Sequence, residues 1–150
     1  MTAIVHPAPL EHLRVGTNEV LVRLRGEDTG GALSVVEFTL PAGSMGATPH
    51  IHHGHSEEFV VIDGDVTFDL VDGGHAEAAI VGAGGTVTVP PGVGHGFRNA
   101  SGAPARLIGL FRPAGYEQYF RDVHEMVTAG HMPTAEDLDR LRAKYDTTPA

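Results

Sequence analysis

Four histidines crowd into six residues, His50, His52, His53 and His55, and Glu57 and Glu58 follow almost at once. Imidazole and carboxylate together are ligands for divalent transition metals. Cysteine is absent, so thiolate catalysis, zinc–cysteine sites and disulfides are excluded. On a strand, residues i and i+2 face the same side, so His50 and His52 can meet one ion. Glu57 opens the next apolar run and can swing a carboxylate to the same point from the neighbouring strand. His95 starts a returning strand after the turn at Gly92 and can supply a third nitrogen. A solvated polar loop is the plainer account of any one of these histidines. A second His-x-His, His53 and His55 with Glu58, would use the opposite face.

These residues need strands to hold them, and the flanking sequence supplies many. Val20 to Arg25 and Leu33 to Leu40 are rich in β-favouring residues. A short segment at His50–His53 follows a Gly/Pro-rich loop, and Phe59 to Ile62 is a continuous apolar run ended by Asp63-Gly64. Val66, Phe68 and Leu70 alternate with Thr67 and Asp69 before Asp72-Gly73-Gly74. Ala76 to Val81, Thr86 to Val89, Val93 to Asn99 and Arg106 to Phe111 complete the series. Short strands bounded by turn residues read as a sandwich or barrel.

After Pro113 the period changes. Tyr116, Tyr119, Phe120 and Val123 fall at helical spacing up to the stop at Gly130. Thr134 followed by Asp137 caps a second helix carrying Leu138, Leu141 and Tyr145 on one face. The expectation is one domain over 1–150, with a barrel core over about 14–112 and a helical segment over about 114–146 packed on the barrel or across its mouth. The first dozen residues and the last five are expected to be mobile.

Two segments carry a family resemblance. In G-A-T-P-H-I-H-H-G-H-S-E-E-F-V-V-I-D-G, the His-x-His, Glu57 and Gly64 stand at the spacing of the first cupin motif. In G-G-T-V-T-V-P-P-G-V-G-H-G-F-R-N, Gly84, Pro90, Gly92, His95 and Asn99 match the second. One position departs: the family's glycine six residues before the first histidine is replaced by Gly43, seven before, and Gly46, four before. A lone His-x-His is weak evidence, whereas roughly nine matched positions in order are strong.

The resemblance implies an all-β fold, a cupin double-stranded β-helix or jelly-roll barrel, here with two short C-terminal α-helices. It implies that His50, His52, Glu57 and His95 ligate one divalent transition metal ion (Fe, Ni, Mn, Co, Cu or Zn). Three imidazoles and a carboxylate leave one or two coordination positions open. The tail R-P-A-G-Y-E-Q-Y-F extends the resemblance to small single-domain cupins similar to quercetin dioxygenases. In that group the carboxylate ligand, here Glu57, also accepts the substrate proton.

Phe59 and Val61 share a face with Glu57, and Phe97 shares one with His95. With Phe68 they are either a substrate pocket or simply barrel core. The implied activity is a metal-dependent dioxygenase acting on a small phenolic or enolic, flavonol-like compound. A non-redox isomerase, cyclase or decarboxylase and a non-catalytic binding module remain open, because fold does not decide function.

Composition bounds the partners. Asp and Glu number 19 against 10 Lys and Arg, a formal charge of -9. That field repels nucleic acid and anionic membranes. Met1 to Leu10 lacks the pattern of a signal peptide and no apolar run approaches a membrane span, so a cytoplasmic protein is expected. Its expected partners are a small-molecule substrate and, because an open barrel edge needs covering, a second copy in a homodimer.

Overall fold

A computed structural model describes residues 2–150. The strands among them are β1 (Glu11–Val15), β2 (Asn18–Leu24), β3 (Ser34–Leu40), β4 (Met45–His52), β5 (Ser56–Asp63), β6 (Asp65–Asp72), β7 (His75–Gly82), β8 (Thr86–Val89), β9 (Gly94–Arg98), β10 (Ala105–Arg112) and β11 (Thr147–Pro149). The helices α1 (Glu117–Thr128) and α2 (Ala135–Ala143) lie between β10 and β11. Two sheets result, one in the order β1-β2-β3-β10-β5-β8 and the other β11-β4-β9-β6-β7. Every ladder is antiparallel. This is the two-sheet jelly roll expected from the sequence.

Alternation decides which side chains enter. Along β5, Glu57, Phe59 and Val61 are buried while Val60, Ile62 and Asp63 are exposed. The apolar interior joins both sheets: Phe59 meets Phe68 and Phe97 at ring-centroid distances of 5.4 and 5.5 Å, and Phe38 meets Phe97 at 5.3 Å. Offset and edge-on aromatic pairs of this kind stabilise beyond their buried area. In β9, glycines at positions 94 and 96 alternate with His95 and Phe97. A Cβ at Gly96 would sit 2.5 Å from the Ala47 carbonyl oxygen, so β4 approaches closely only because position 96 has no side chain.

β4 meets β9 through register shifts between Met45 and Ala47 and between Ala47 and His50. Such bulges accommodate extra residues and re-aim the side chains beyond them. The longer spacing from Gly43 to His50 is absorbed there.

Strands reach into both terminal segments expected to be mobile. β1 starts at Glu11 and pairs with β2 along its whole length, while Arg121 on α1 forms an ion pair with Glu11. At the other end, β11 pairs Thr147 with His52 and Pro149 with His50, and Thr147 is buried. Thr-Thr-Pro has little local signal for a strand; the edge of β4 supplies the pairing. The helices stand near their expected places, and Thr134 and Asp137 form the reciprocal cap read from the sequence. No described helix is long and apolar enough to cross a membrane.

Gly64 ends β5 with φ +72°, and a Cβ there would lie 2.6 Å from the Pro104 carbonyl oxygen. Gly64→Ala is therefore expected to destabilise the fold by about 1–3 kcal/mol, combining left-handed backbone strain with a backbone clash. Thermal unfolding followed by circular dichroism should show the lowered midpoint.

Candidate metal centre

His50 and His52 project from β4, His95 from its partner β9, and Glu57 from β5 in the opposite sheet. His50 and His95 are direct cross-strand partners. The site therefore spans the two sheets, with three imidazoles on one and the carboxylate on the other. Donor atoms from all four residues lie within 4.8 Å of one another, and all four side chains are buried.

The outer ring nitrogens show how the inner ones are used. His50 Nδ1 lies 2.7 Å from the Thr48 carbonyl oxygen, and His95 Nδ1 lies 3.2 Å from that of Val93. A carbonyl only accepts, so each Nδ1 carries the proton. His52 Nδ1 lies 2.7 Å from Thr147 Oγ1, whose own hydroxyl donates to the Tyr145 carbonyl at 3.1 Å. The Thr147 oxygen is therefore left to accept from His52. All three neutral rings then present an unprotonated Nε2 to the interior. Anchoring the far nitrogen in this way fixes the tautomer and the aim of a ligating histidine.

Those inner atoms face only acceptors. His50 Nε2 is 2.9 Å from His52 Nε2. His52 Nε2 is 2.8 Å from Glu57 Oε1, and His95 Nε2 is 2.7 Å from Glu57 Oε2. Extra protons are a costly remedy, because burial pushes His50 well below, and His52 below, the ordinary histidine value of 6.5. Burial alone would raise the Glu57 carboxyl. Hydrogen bonds donated by the His52, His55 and His95 side chains would outweigh that and hold it well below the ordinary 4.5, but inner ring nitrogens without protons donate none, and a cation at the centre takes that part. A divalent cation satisfies all of these atoms at once.

The other histidines divide. His53 is exposed, with Nε2 3.0 Å from Thr148 Oγ1, so His53, His55 and Glu58 do not assemble a second site. His55 is buried against Glu57, with its Nε2 3.3 Å from Oε1, and its ring lies 4.1 Å from that of His52. It supports the carboxylate without joining the four.

An apolar cavity abuts the cluster, and His50 and Glu57 are the two ligands in its wall. Phe38, Phe59, Phe97, Phe111 and Phe120 make much of the rest aromatic, with Tyr116 and Tyr119 at the α1 end and Asn18 and Arg142 among the others. The enclosed free volume is about 30 Å³, room for about two waters, within a wider recess of about 450 Å³ that includes open solvent. Phe59 and Phe97 thus stand where the sequence placed them. Phe68 and Val61 do not line the cavity. Both point inward as the alternation requires, but they are fully buried core, Phe68 packed behind Phe59 and Phe97.

Comparison with known proteins fixes the family. The family model described as "Cupin domain" matches residues 36–111, just over half of the chain. This chain belongs to the cupin family. Solved structures share the fold at low identity. KdgF from Halomonas sp. superposes with TM-score 0.61 at 20% identity, covering 72% of this chain and 92% of that one. An uncharacterised double-stranded β-helix protein from Klebsiella pneumoniae gives 0.54 at 22% identity, over 74% and 84% of the two chains. Hydroxypropylphosphonic acid epoxidase from S. wedmorenis gives 0.60 at 20%, over 71% and 58%. A search of curated proteins finds no significant match.

Three residues of this cupin's site escaped the sequence reading. Thr147 lies in the segment expected to be mobile. Arg142 sits in R-L-R on α2 and reads as a solvated last-turn charge. Asn18 opens β2 like any turn residue. All three depend on contacts distant in sequence.

Two outcomes check the centre. Purified wild type should carry about one transition metal per chain by elemental analysis, lost in a folded His50→Ala/His52→Ala variant. Thr147→Val, which removes the acceptor for His52, should weaken metal affinity about 10–100-fold. The second concerns pH. The unfolded chain binds protons at His50 and His52 that the folded chain resists, so chelator-treated protein should lose stability as pH falls below about 6.5. Urea unfolding between pH 7 and 5 should show a steeper loss for wild type than for His50→Ala/His52→Ala; equal slopes would refute the assignment.

Proposed function

We propose that this cupin holds one divalent transition metal on His50, His52, Glu57 and His95 and uses it to oxygenate a small phenolic or enolic compound. The observation that carries the proposal is the direction in which the centre opens. His52 and His95 are closed off, while His50 and Glu57 face an aromatic cavity. When bound, the ion would supply Lewis acidity toward an enol or phenol oxygen and one-electron chemistry toward dioxygen.

The chain's own residues supply the rest. Glu57, kept ionised, is placed to take the proton of a hydroxyl entering from the cavity. Phe59, Phe97 and Phe111 give a ring or conjugated system an apolar surface and keep water from the reacting atoms. His55, hydrogen-bonding distance from Glu57, steadies the carboxylate through that exchange. Iron, manganese, nickel, cobalt and copper suit this reading. The enclosed part takes no more than about two waters, so a substrate ring would occupy the wider recess of about 450 Å³, which suits a single-ring or smaller compound better than a full flavonol.

Oxygen-electrode assays of protein loaded in turn with each metal, against a panel of catechols, 1,3-diketones and enolisable acids, test the reading. Expected is substrate-dependent oxygen uptake of about one O₂ per product with at least one redox metal, and none with His50→Ala/His52→Ala. Turnover that persists without oxygen, or with zinc alone, would replace it with isomerase, cyclase or decarboxylase chemistry. Tight metal and ligand binding without turnover would leave a binding module.

A further inference from the structure

Arg142 is the cavity's unexplained charge. It reaches inward from α2, outside the segment that matches the family model, and is only 3% exposed. Its Nη1 donates to Thr48 Oγ1 at 2.9 Å and lies 3.6 Å from Asp139 Oδ1, a half-exposed carboxylate, while its guanidinium sits 5.9 Å from the centre of the Tyr119 ring. Its Nε is buried with no hydrogen-bond partner. A buried, charged donor left unpaired is costly, and natural structures rarely tolerate one without a reason.

A second orphan lines the same space. Asn18 is 4% exposed, and its Nδ2 donates to the Met45 carbonyl at 2.8 Å. That bond fixes the amide's orientation and leaves Oδ1, an acceptor, buried and unpaired. Asn18 and Arg142 both line the metal cavity, and both also line an adjoining groove of about 220 Å³ bounded by α1 and α2. The residues that carry the two unpaired atoms therefore stand between the groove and the metal cavity, and the atoms are opposite in kind: one charged donor, one neutral acceptor.

We infer that Arg142 and Asn18 form the recognition end of this cavity and that its ligand is a small carboxylic acid, its carboxylate on Arg142 and a hydroxyl or N–H on Asn18. The inference rests on the metal cavity being the substrate site proposed above, and it narrows that substrate from any enol or phenol to an acidic one. Because Nη1 is committed to Thr48, the free edge of the guanidinium is the side-on one through Nε, which matches a planar carboxylate. A phosphate dianion needs more cationic partners than this aromatic wall offers. Thr48 ties the two ends of the cavity together: its hydroxyl accepts from Arg142 and its carbonyl holds His50. A carboxylate on Arg142 thus leaves the remainder of a short molecule directed at the side of the centre that His50 and Glu57 leave open.

The test uses calorimetric titration of the full-length protein, metal-loaded and metal-free, with four probes. These are lactate and 2-hydroxybenzoate, and their uncharged amides lactamide and 2-hydroxybenzamide; inorganic phosphate is titrated alongside. Wild type should bind at least one acid about 10–100-fold more tightly than its amide, the range expected for a charge-assisted pair. Arg142→Gln should abolish that preference and leave amide affinity within about threefold, while Arg142→Lys restores part of it. Equal binding of acid and amide by wild type, no binding of any acid at millimolar concentration, or a preference unchanged in Arg142→Gln would overturn the inference. So would phosphate binding more tightly than either acid. The wild-type comparison of acid with amide needs no variant to fold. Metal content and oxygen uptake are read separately, so a metal-bound, oxygen-consuming protein indifferent to the carboxylate sinks this inference alone. An acid preference in a protein that takes up no metal sinks the oxygenase instead.

Discussion

The structure turns on a shortage of protons at one buried point. Three imidazole nitrogens and two carboxylate oxygens converge there, the nearest pair of nitrogens 2.9 Å apart, and each ring has already given its proton to an outward partner. Such an arrangement repels itself unless a cation sits within it. The fold holds it together from both sides: the β4–β9 ladder sets His50 opposite His95, the bulges of β4 aim His50 inward, and the opposing sheet delivers Glu57. Ordinary hydrophobic packing of Phe38, Phe59 and Phe97 clamps the sheets at the separation the cluster requires.

How much of this was legible follows from how local each signal is. The strand alternation of β5, the turn at Gly64 and the cap at Thr134 are written in neighbouring residues and stand where the sequence places them, whereas in β6 Thr67 is buried along with Val66 and Phe68 because this strand lies between two others. So do the four clustered residues, whose spacing along two strands is itself the signal. The sequence could not show that Glu57 arrives from the opposite sheet, because nothing local distinguishes a hairpin partner from a strand across the barrel. Phe68 and Val61 illustrate the same limit. Alternation says which side chains point inward, but not which inward ones are covered by others.

The C-terminal segment was the least legible part and contributes most to what surrounds the centre. α1 and its N-cap supply Tyr116, Tyr119 and Phe120 to the cavity wall, α2 supplies Arg142, and β11 supplies Thr147 behind His52. Read alone, these are an amphipathic helix, a charged helix and a polar tail. Their roles exist only once Glu117 has anchored α1 through the Gly26 and Gly115 amides and β11 has joined β4. The barrel thus carries the four clustered residues, while the appended segment walls the cavity beside them.

The three imidazoles are not held alike. His50 and His95 lean on carbonyls two residues earlier in the chain, but His52 leans on Thr147, 95 residues away, in a strand of three residues at the edge of its sheet. Short edge elements open locally at far lower cost than whole domains unfold. Fraying of β11 would free the His52 ring while the other two rings stay braced. An ion would then leave or enter through a half-released coordination sphere, giving the centre a fast route of exchange without loss of the barrel. Thermodynamic grip and kinetic lability would thus be set by different parts of the chain.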